Sequence, residues 1–327
     1  MKFKSKLGLG PMSADILDIL FDYSDRRRTQ IMIIPSTNQV NIFGGYVEDW
    51  NTDHFMCMVQ ALASFYKFAD VKVCRDHLML GNGSLSKSEL FMDISEGFDL
   101  IHLDASDLPP EKQLETTLWY IRQCMDYGVA FEVGTDINNG APKFDADQIT
   151  RFLDPICQLQ TPEFFVHQTG SLIKNTQQVG TFNEELVQQV RETIKPYGVK
   201  LKEHNADYLT LPEIKQRRGL VDALNIAPQL GAMQTEVVLE MFNNHPAIHD
   251  FIDQCFSSFC WVKWIDKPIG EYTCKELAII CGHYNFTHGS YKELLKDPDA
   301  NELMRGVLRA KIFDLLDLYM EGLSEDN

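Results

Sequence analysis

Short apolar, β-prone runs recur along the chain, at 7–10, 30–34, 71–74, 100–103, 129–133, 164–166, 199–201 and 223–226. Each run stops at polar residues. Between the runs the apolar positions change to helical spacing. The segment 15–23 carries Ile16, Leu17, Ile19, Leu20 and Phe21, and 55–68 is apolar and aromatic. Ser86 with Glu89 predicts a capping box ahead of the next helix. Further helices are predicted over 111–127, 146–158, 183–197 and, shorter, 211–218. Eight strands alternating with helices predict an α/β fold, a (β/α)8 TIM barrel. An open doubly wound sheet is the rival, but no glycine-rich phosphate loop follows the first run.

After Gly231 the strand signals fade, and Trp261, Trp264 and helix-like runs take over. Met304, Leu308, Ile312, Leu315 and Tyr319 fall on one face of a final helix at spacings of four, four, three and four. The division expected is a barrel over 1–231 and a C-terminal helical extension over 232–327, packed on the barrel or on a second subunit.

Composition narrows the function classes. A 327-residue chain that is 44% hydrophobic can bury a full core. Its net charge of −17 disfavours nucleic acid and anionic membranes as partners, since both need a broad basic footprint. A small phosphorylated substrate stays open, because one local cationic pocket is enough for it. Lys2, Lys4 and Lys6 are not followed by an apolar run long enough for a signal peptide, and no membrane-length apolar run occurs. Eight cysteines without CxxC pairs are expected to be reduced, buried thiols, and the protein to be cytoplasmic.

In such a barrel the chemistry sits at the carboxyl ends of the strands. Those ends supply Asn38 and Gln39 (second strand), Arg75, Asp76 and His77 (third), Asp104 and Ser106 (fourth), and Glu132 and Thr135 (fifth). His167, with Gly170 and Ser171 just beyond, follows the sixth, His204 and Asn205 the seventh, and Asn225 and Gln229 the eighth. An aspartate beside a histidine suits a proton acceptor next to a metal ligand. Three histidines at three strand ends, with Glu132 at a fourth, fit a catalytic divalent metal, zinc first. Strand alternation places His102 one layer beneath Asp104, as an interior histidine, and turns Lys200 and Lys202 inward with His204. A buried Lys202 needs a carboxylate, from Glu132 or Asp104, unless it is a Schiff-base nucleophile. The glycine-rich segment 81–84 offers a flexible loop, and 282–284 a loop over the barrel mouth. No GxxxxGK[ST] motif is present, which argues against a P-loop kinase.

The run from Ser36 to Tyr46, Ser-Thr-Asn-Gln-Val-Asn-Ile-Phe-Gly-Gly-Tyr, closely resembles a stretch of the class II D-tagatose-1,6-bisphosphate aldolase non-catalytic subunit family. The likeness continues, in order, through Asp76-His77-Leu78, the segment 101–106, Gly134-Thr135, His204 with Asp207-Tyr208, and Ala227-Pro228. Arg75 departs from it, standing where the family has a small residue, and Met79-Leu80 replaces a Gly-Pro turn. The resemblance implies a class II aldolase-like barrel in which Asp76 handles the proton and His77, His167 and His204 hold zinc. Relatives include sugar epimerases acting by retro-aldol chemistry, whereas the named family is described as an accessory subunit.

The function expected is metal-dependent retro-aldol and aldol chemistry, as an aldolase or C4-epimerase, on a ketose or ketose phosphate of the tagatose or fructose type. Asp76 and Glu132 are the expected catalytic groups. Asn38, Gln39, Asp104 and Gln229 are expected to bind sugar hydroxyls, Gly170, Ser171 or Lys202 a phosphate, with Arg75, Ser106, Asn205 and Asn225 also against the sugar. The competing expectation is a non-catalytic subunit that stabilises an aldolase partner. A homo-oligomer or a complex with an aldolase catalytic subunit is expected accordingly.

Overall fold

The computed structural model describes residues 3–134 and 140–324. Eight parallel strands close into a barrel: β1 (Leu7–Leu9), β2 (Gln30–Ile33), β3 (Asp70–Met79), β4 (Leu100–Asp104), β5 (Ala130–Gly134), β6 (Phe164–Val166), β7 (Lys200–Glu203) and β8 (Ala223–Ile226). Each pairs with its sequence neighbour and β8 closes onto β1, so the barrel has no open edge. The helices after these strands are α1 (Ala14–Arg27), α2 (Thr52–Phe65), α3 (Ser84–Glu96), α4 (Pro110–Tyr127), α5 (Ala146–Leu159), α6 (Glu184–Ile194), α7 (Leu211–Arg217) and α8 (Pro228–Met241). The fold is the predicted (β/α)8 barrel.

Alternation along the strands sorts the side chains into two cores. Ile31 and Ile33, Ile101 and Leu103, Phe131 and Val133 point outward and pack against the helices. Met32, Cys74, Leu100, Phe164 and Ala223 point inward, and Phe3 joins them as a plug, its ring edge-on to Phe164 at 6.4 Å. Above this apolar floor the interior becomes polar. Lys202 lies fully buried against Glu132, Nζ to Oε2 2.6 Å, and over the Phe164 ring at 4.7 Å. The ion pair anticipated for Lys202 is therefore with Glu132, and it lies below the barrel mouth.

Two local expectations are corrected. Ser86 does not cap α3; its hydroxyl donates to the Met79 carbonyl, and Gly83 at φ 63° starts the helix with no side-chain cap. Glycine tolerates that backbone where a β-carbon would be strained. The 81–84 segment is also tied down, since the Gly81 N–H donates to both carboxylate oxygens of Asp107.

Beyond α8, which runs across position 231, come α9 (Ala247–Ser257), α10 (Cys274–Cys281), α11 (Gly289–Leu294) and α12 (Pro298–Leu323). Helix α12 lies on α1, α7 and α8. Its buried stripe is Met304, Leu308, Ile312, Leu316 and Tyr319, so Leu316 replaces the expected Leu315. Each fully buried side chain of this size stabilises by about 1.5–3 kcal/mol, which fastens the last helix to the barrel wall. The Tyr319 hydroxyl donates to the Ala206 carbonyl and accepts the Leu209 N–H, pinning the loop after β7. No helix among the described residues is long and apolar enough to cross a membrane. Cys74, Cys124, Cys255 and Cys281 are buried free thiols, whereas Cys57 and Cys274 are exposed.

Candidate active site

The mouth of the barrel is shaped by an irregularity in β3. Arg75 pairs with Ile101 and Leu78 with Leu103, so Asp76 and His77 together stand opposite His102 alone. The extra residue is a β-bulge, and His77 takes it up at φ 48°. A non-glycine residue in that region is uncommon and persists where its surroundings hold it. The Asp76 N–H donates to the Pro35 carbonyl at 3.0 Å, and the Thr37 hydroxyl donates to the His77 carbonyl. The bulge breaks the alternation that would have sent Asp76 and His77 to opposite faces. Both turn to the mouth.

Four side chains converge there. Asp76, His77, His102 and His204 present ligand atoms that all lie within 4.8 Å of one another. His77 Nδ1 is 2.6 Å from Asp104 Oδ2, and because an ionised carboxylate only accepts, the imidazole donates. That leaves His77 Nε2 facing His204 Nδ1 at 3.1 Å, one of the two carrying the shared proton. Asp76 lies 3.6 Å from His204 Nε2, 3.8 Å from His77 Nε2 and 3.8 Å from His102 Nδ1. Asn225 donates to Asp76 Oδ1 at 3.4 Å. Gly8 in β1 makes room for it, since a β-carbon there would fall 2.2 Å from Asn225 Oδ1.

Electrostatics sorts these groups into distinct protonation states. Burial alone would raise the Asp76 carboxyl, but His77, His204 and His102 reverse this and hold it well below the usual carboxylate range. Burial likewise opposes charge on His77, yet Asp76 and Asp104 push that imidazole up to about 9. Burial drives His204 well below its ordinary value, against Asp76, with His77 and His102 adding to the fall. Asp104 is held low by His77 and His102 in spite of its burial. Near neutral pH the site contains two ionised carboxylates, a protonated His77 and a neutral His204.

The donor set fits a divalent ion. Buried nitrogens His102 Nε2 and His204 Nε2 have no hydrogen-bond partner among the described residues. Beside them is a void of about 20 Å³, lined by His77, His102, His167 and His204. That is room for about one water or ion. His77, His102 and His204 belong to both the compact group and the void, with Asp104 fixing the His77 tautomer from behind. His167, expected as the third ligand, lines the void but stands outside the compact group, where His102 takes its place. Sequence reasoning missed His102 because strand alternation carries no sign of a bulge.

Above the group opens a cleft of about 410 Å³. Asn38, Gln39, Asp104, Ser106 and Asn205 line it with Asp76 and His77, as their strand-end positions anticipated. Gln39 is partly committed, its carbonyl oxygen accepting the Ser36 N–H.

Other expected site residues point elsewhere. Arg75 is corrected from a sugar contact to a structural group: it is 1% exposed, donates twice to Asp93 of α3, and donates to the carbonyls of Pro35 and Val40. Its position next to the bulged pair turns it into the helix layer. Glu132 and Lys202 neutralise one another below the cleft, so neither is placed as a catalytic or phosphate-binding group. Ser171 donates to Glu203, whose carboxylate also receives Arg217, in a buried network behind β7. Gly170 packs against the Thr181 carbonyl, where a β-carbon would lie 2.0 Å away. Gln229 accepts the Tyr208 N–H at 2.7 Å. Asp207 accepts the N–H groups of Ala227 and Gln229 at the start of α8, while burial pushes its carboxyl up to about 7. Thr135 lies outside the described residues.

The roof of the cleft comes from the extension. Lys263, Trp264, His283 and Tyr284 line it from above, so the 282–284 segment does reach the mouth.

No protein-family model matches the chain, and no curated protein matches its sequence. Solved structures do match its fold. A probable tagatose 6 phosphate kinase from Sinorhizobium meliloti 1021 aligns over 97% of this chain and 99% of its own, with TM-score 0.79 and 14% identity. The fructose-bisphosphate aldolase of Campylobacter jejuni aligns over 98% and 90%, with TM-score 0.67 and 13% identity. The fructuronate-tagaturonate epimerase UxaE of Cohnella laeviribosi aligns over 98% and 82%, with TM-score 0.66 and 13% identity. The chain thus has the fold found in sugar aldolases and a sugar-acid epimerase, with its extension included in the alignment.

Proposed function

We propose that this protein is a metal-dependent carbohydrate enzyme of the class II aldolase kind. Within that class, the reading is reversible retro-aldol cleavage of a ketose or ketose phosphate of the tagatose or fructose type, ending in C4 epimerisation or in release of the aldehyde. One observation carries it. A carboxylate held ionised, Asp76, stands among His77, His102 and His204 at the floor of a polar cleft on the carboxyl face of the barrel. The aldolase and the epimerase that share the fold support the same chemistry.

A divalent ion, zinc in the first instance, held by His77 and His204 with His102 or His167, would supply the Lewis acidity that draws electrons toward the substrate ketone. Asp76 takes the proton from the C4 hydroxyl, the C3–C4 bond breaks, and its electron pair passes to the ketone as an enediolate. Asn38, Ser106 and Asn205 line the cleft, and in this reading they hold sugar hydroxyls. Rotation of the aldehyde before the bond re-forms inverts C4, and its departure completes an aldolase cycle. Asp76 returns the proton to the C4 oxygen when the bond re-forms, or to C3 of the enediolate when the aldehyde leaves.

A second reading, a non-catalytic subunit stabilising an aldolase partner, draws on the Glu132–Lys202 pair, which withdraws one expected catalytic carboxylate from the mouth. The test is turnover. The full chain, loaded in turn with zinc, manganese and cobalt, is incubated with ketoses, ketose phosphates and keto-uronates, and products are resolved by NMR. Metal-dependent exchange of one C4-epimeric pair, or release of an aldehyde, is the expected result. No turnover of any of them under any metal contradicts the enzyme reading and favours the accessory one.

A further inference from the structure

Helix α2 turns an uncharged face to solvent. Between Asp53 and Lys67 the sequence holds no Asp, Glu, Lys or Arg, in a chain whose net charge is −17. Phe55, Met56 and Val59 are buried toward the barrel. His54, Cys57, Met58, Ala61 and Phe65 recur at helical spacing on the other side, and all are exposed. Helices α4 and α6 instead show solvent the carboxylates of Glu111, Glu115, Glu184 and Glu185.

The two ends of this face differ in charge. At its start Asp49 and Asp53 are exposed. Phe43, 82% exposed, stands there too, in the loop that the Asn41–Asn51 bridge ties to the helix N-terminus. At its far end Phe65 and Phe68 are 74% and 61% exposed. Lys67 and Arg28 are exposed at that end, with the Arg28 guanidinium over the Phe68 ring at 3.3 Å. Arg26 and Arg27 are taken up by Asp22 and Asp317, but Arg28 has no carboxylate partner among the described residues. Scattered exposed aromatics are ordinary, whereas these bracket a single uncharged helix face.

We propose that this face binds the same face of a second copy of the chain, with the two α2 helices antiparallel about a two-fold axis. The patch complements itself in that arrangement. Each acidic start meets the partner's cationic end, and each Phe43 meets the partner end that carries exposed aromatics. A parallel pairing would set acid on acid and base on base. Antiparallel helices also place opposite ends of their dipoles together. Asp53 and Lys67 are equally far along the chain from Gln60, so the axis passes beside Ala61, whose methyl lets the two helices approach closely. A flat membrane surface would make no use of this two-ended charge. Phe43 belongs to the loop whose Asn38 and Gln39 line the cleft, so the contact would hold that loop from outside. The proposal does not depend on the retro-aldol reading.

Sedimentation velocity of the full chain, from low to high micromolar concentration, tests it. Wild-type protein is expected to approach the mass of two chains as concentration rises. Ala61→Arg places two cations at the axis, at an exposed position where arginine is a good helix former. It is expected to weaken the dimer about tenfold or more, with unchanged far-ultraviolet circular dichroism. Asp53→Lys and Lys67→Asp each turn both end contacts into repulsions and are each expected to weaken it about tenfold. Combined, they re-pair the ends and are expected to recover most of the loss. A wild-type chain that stays monomeric throughout overturns the proposal and leaves the face to a different protein. A dimer that Ala61→Arg leaves intact also overturns it, since that dimer would form elsewhere. So does a double variant no tighter than the single ones, which removes the antiparallel register.

Discussion

Asp76→Asn is expected to lower kcat for C–C cleavage by about 10²–10⁴, the usual contribution of a positioned general base. This corresponds to about 3–5 kcal/mol on the barrier. The substitution is nearly isosteric, so Asn225 still has an oxygen to bond and the bulge that presents position 76 is untouched. What disappears is the ionised oxygen that receives the C4 hydroxyl proton. Metal content and KM are expected to change little, which separates loss of the base from loss of the site. Steady-state kinetics with metal analysis on the same preparation checks it, and full activity in the variant would remove Asp76 as the base.

Arg75→Met is expected to cost about 3–5 kcal/mol of stability, because it leaves Asp93 buried without a counter-charge. Both side chains of that pair are fully buried, at 2.6 Å. Burial already raises the Asp93 carboxyl against the pull of Arg75, so without the guanidinium Asp93 must protonate or force the helix layer open. Thermal unfolding is expected to show a melting temperature lower by several degrees, with KM for substrate unchanged. Arg75→Met combined with Asp93→Leu should recover much of the loss, since two apolar groups carry no desolvation cost. An unchanged melting temperature together with a raised KM would return Arg75 to the sugar.

These two adjacent residues show where the sequence was readable and where it was not. The barrel was legible because each strand is a compact apolar run bounded by polar positions, and closure needs eight such runs. That Lys202 meets a carboxylate is legible, because a lysine aimed into a barrel needs a counter-charge, but the choice of Glu132 over Asp104 is not. The bulge at His77 is not legible, since Arg75-Asp76-His77-Leu78 reads as ordinary alternation, and that reading leaves His102 in the layer below. Ser86 matched a capping box in spacing, but Gly83 turns the chain in and frees that hydroxyl for the Met79 carbonyl. Leu315 gives way to Leu316 because counted spacings drift against a 3.6-residue turn over the roughly seven turns of α12. Lys263 and His283 come to the mouth from far along the chain. Their position depends on how the extension packs, and no local period encodes that.

Retro-aldol chemistry at this mouth requires that His77 and His204 hold an ion. Elemental analysis of the full chain, after loading with zinc and removal of excess, is expected to give close to one equivalent per chain in the wild type. His77→Ala and His204→Ala are expected to retain almost none, and the same measurement on His102→Ala and His167→Ala assigns the third ligand. A wild-type chain that binds no stoichiometric zinc, manganese or cobalt, or a His77→Ala variant that binds as much as the wild type, would contradict the account.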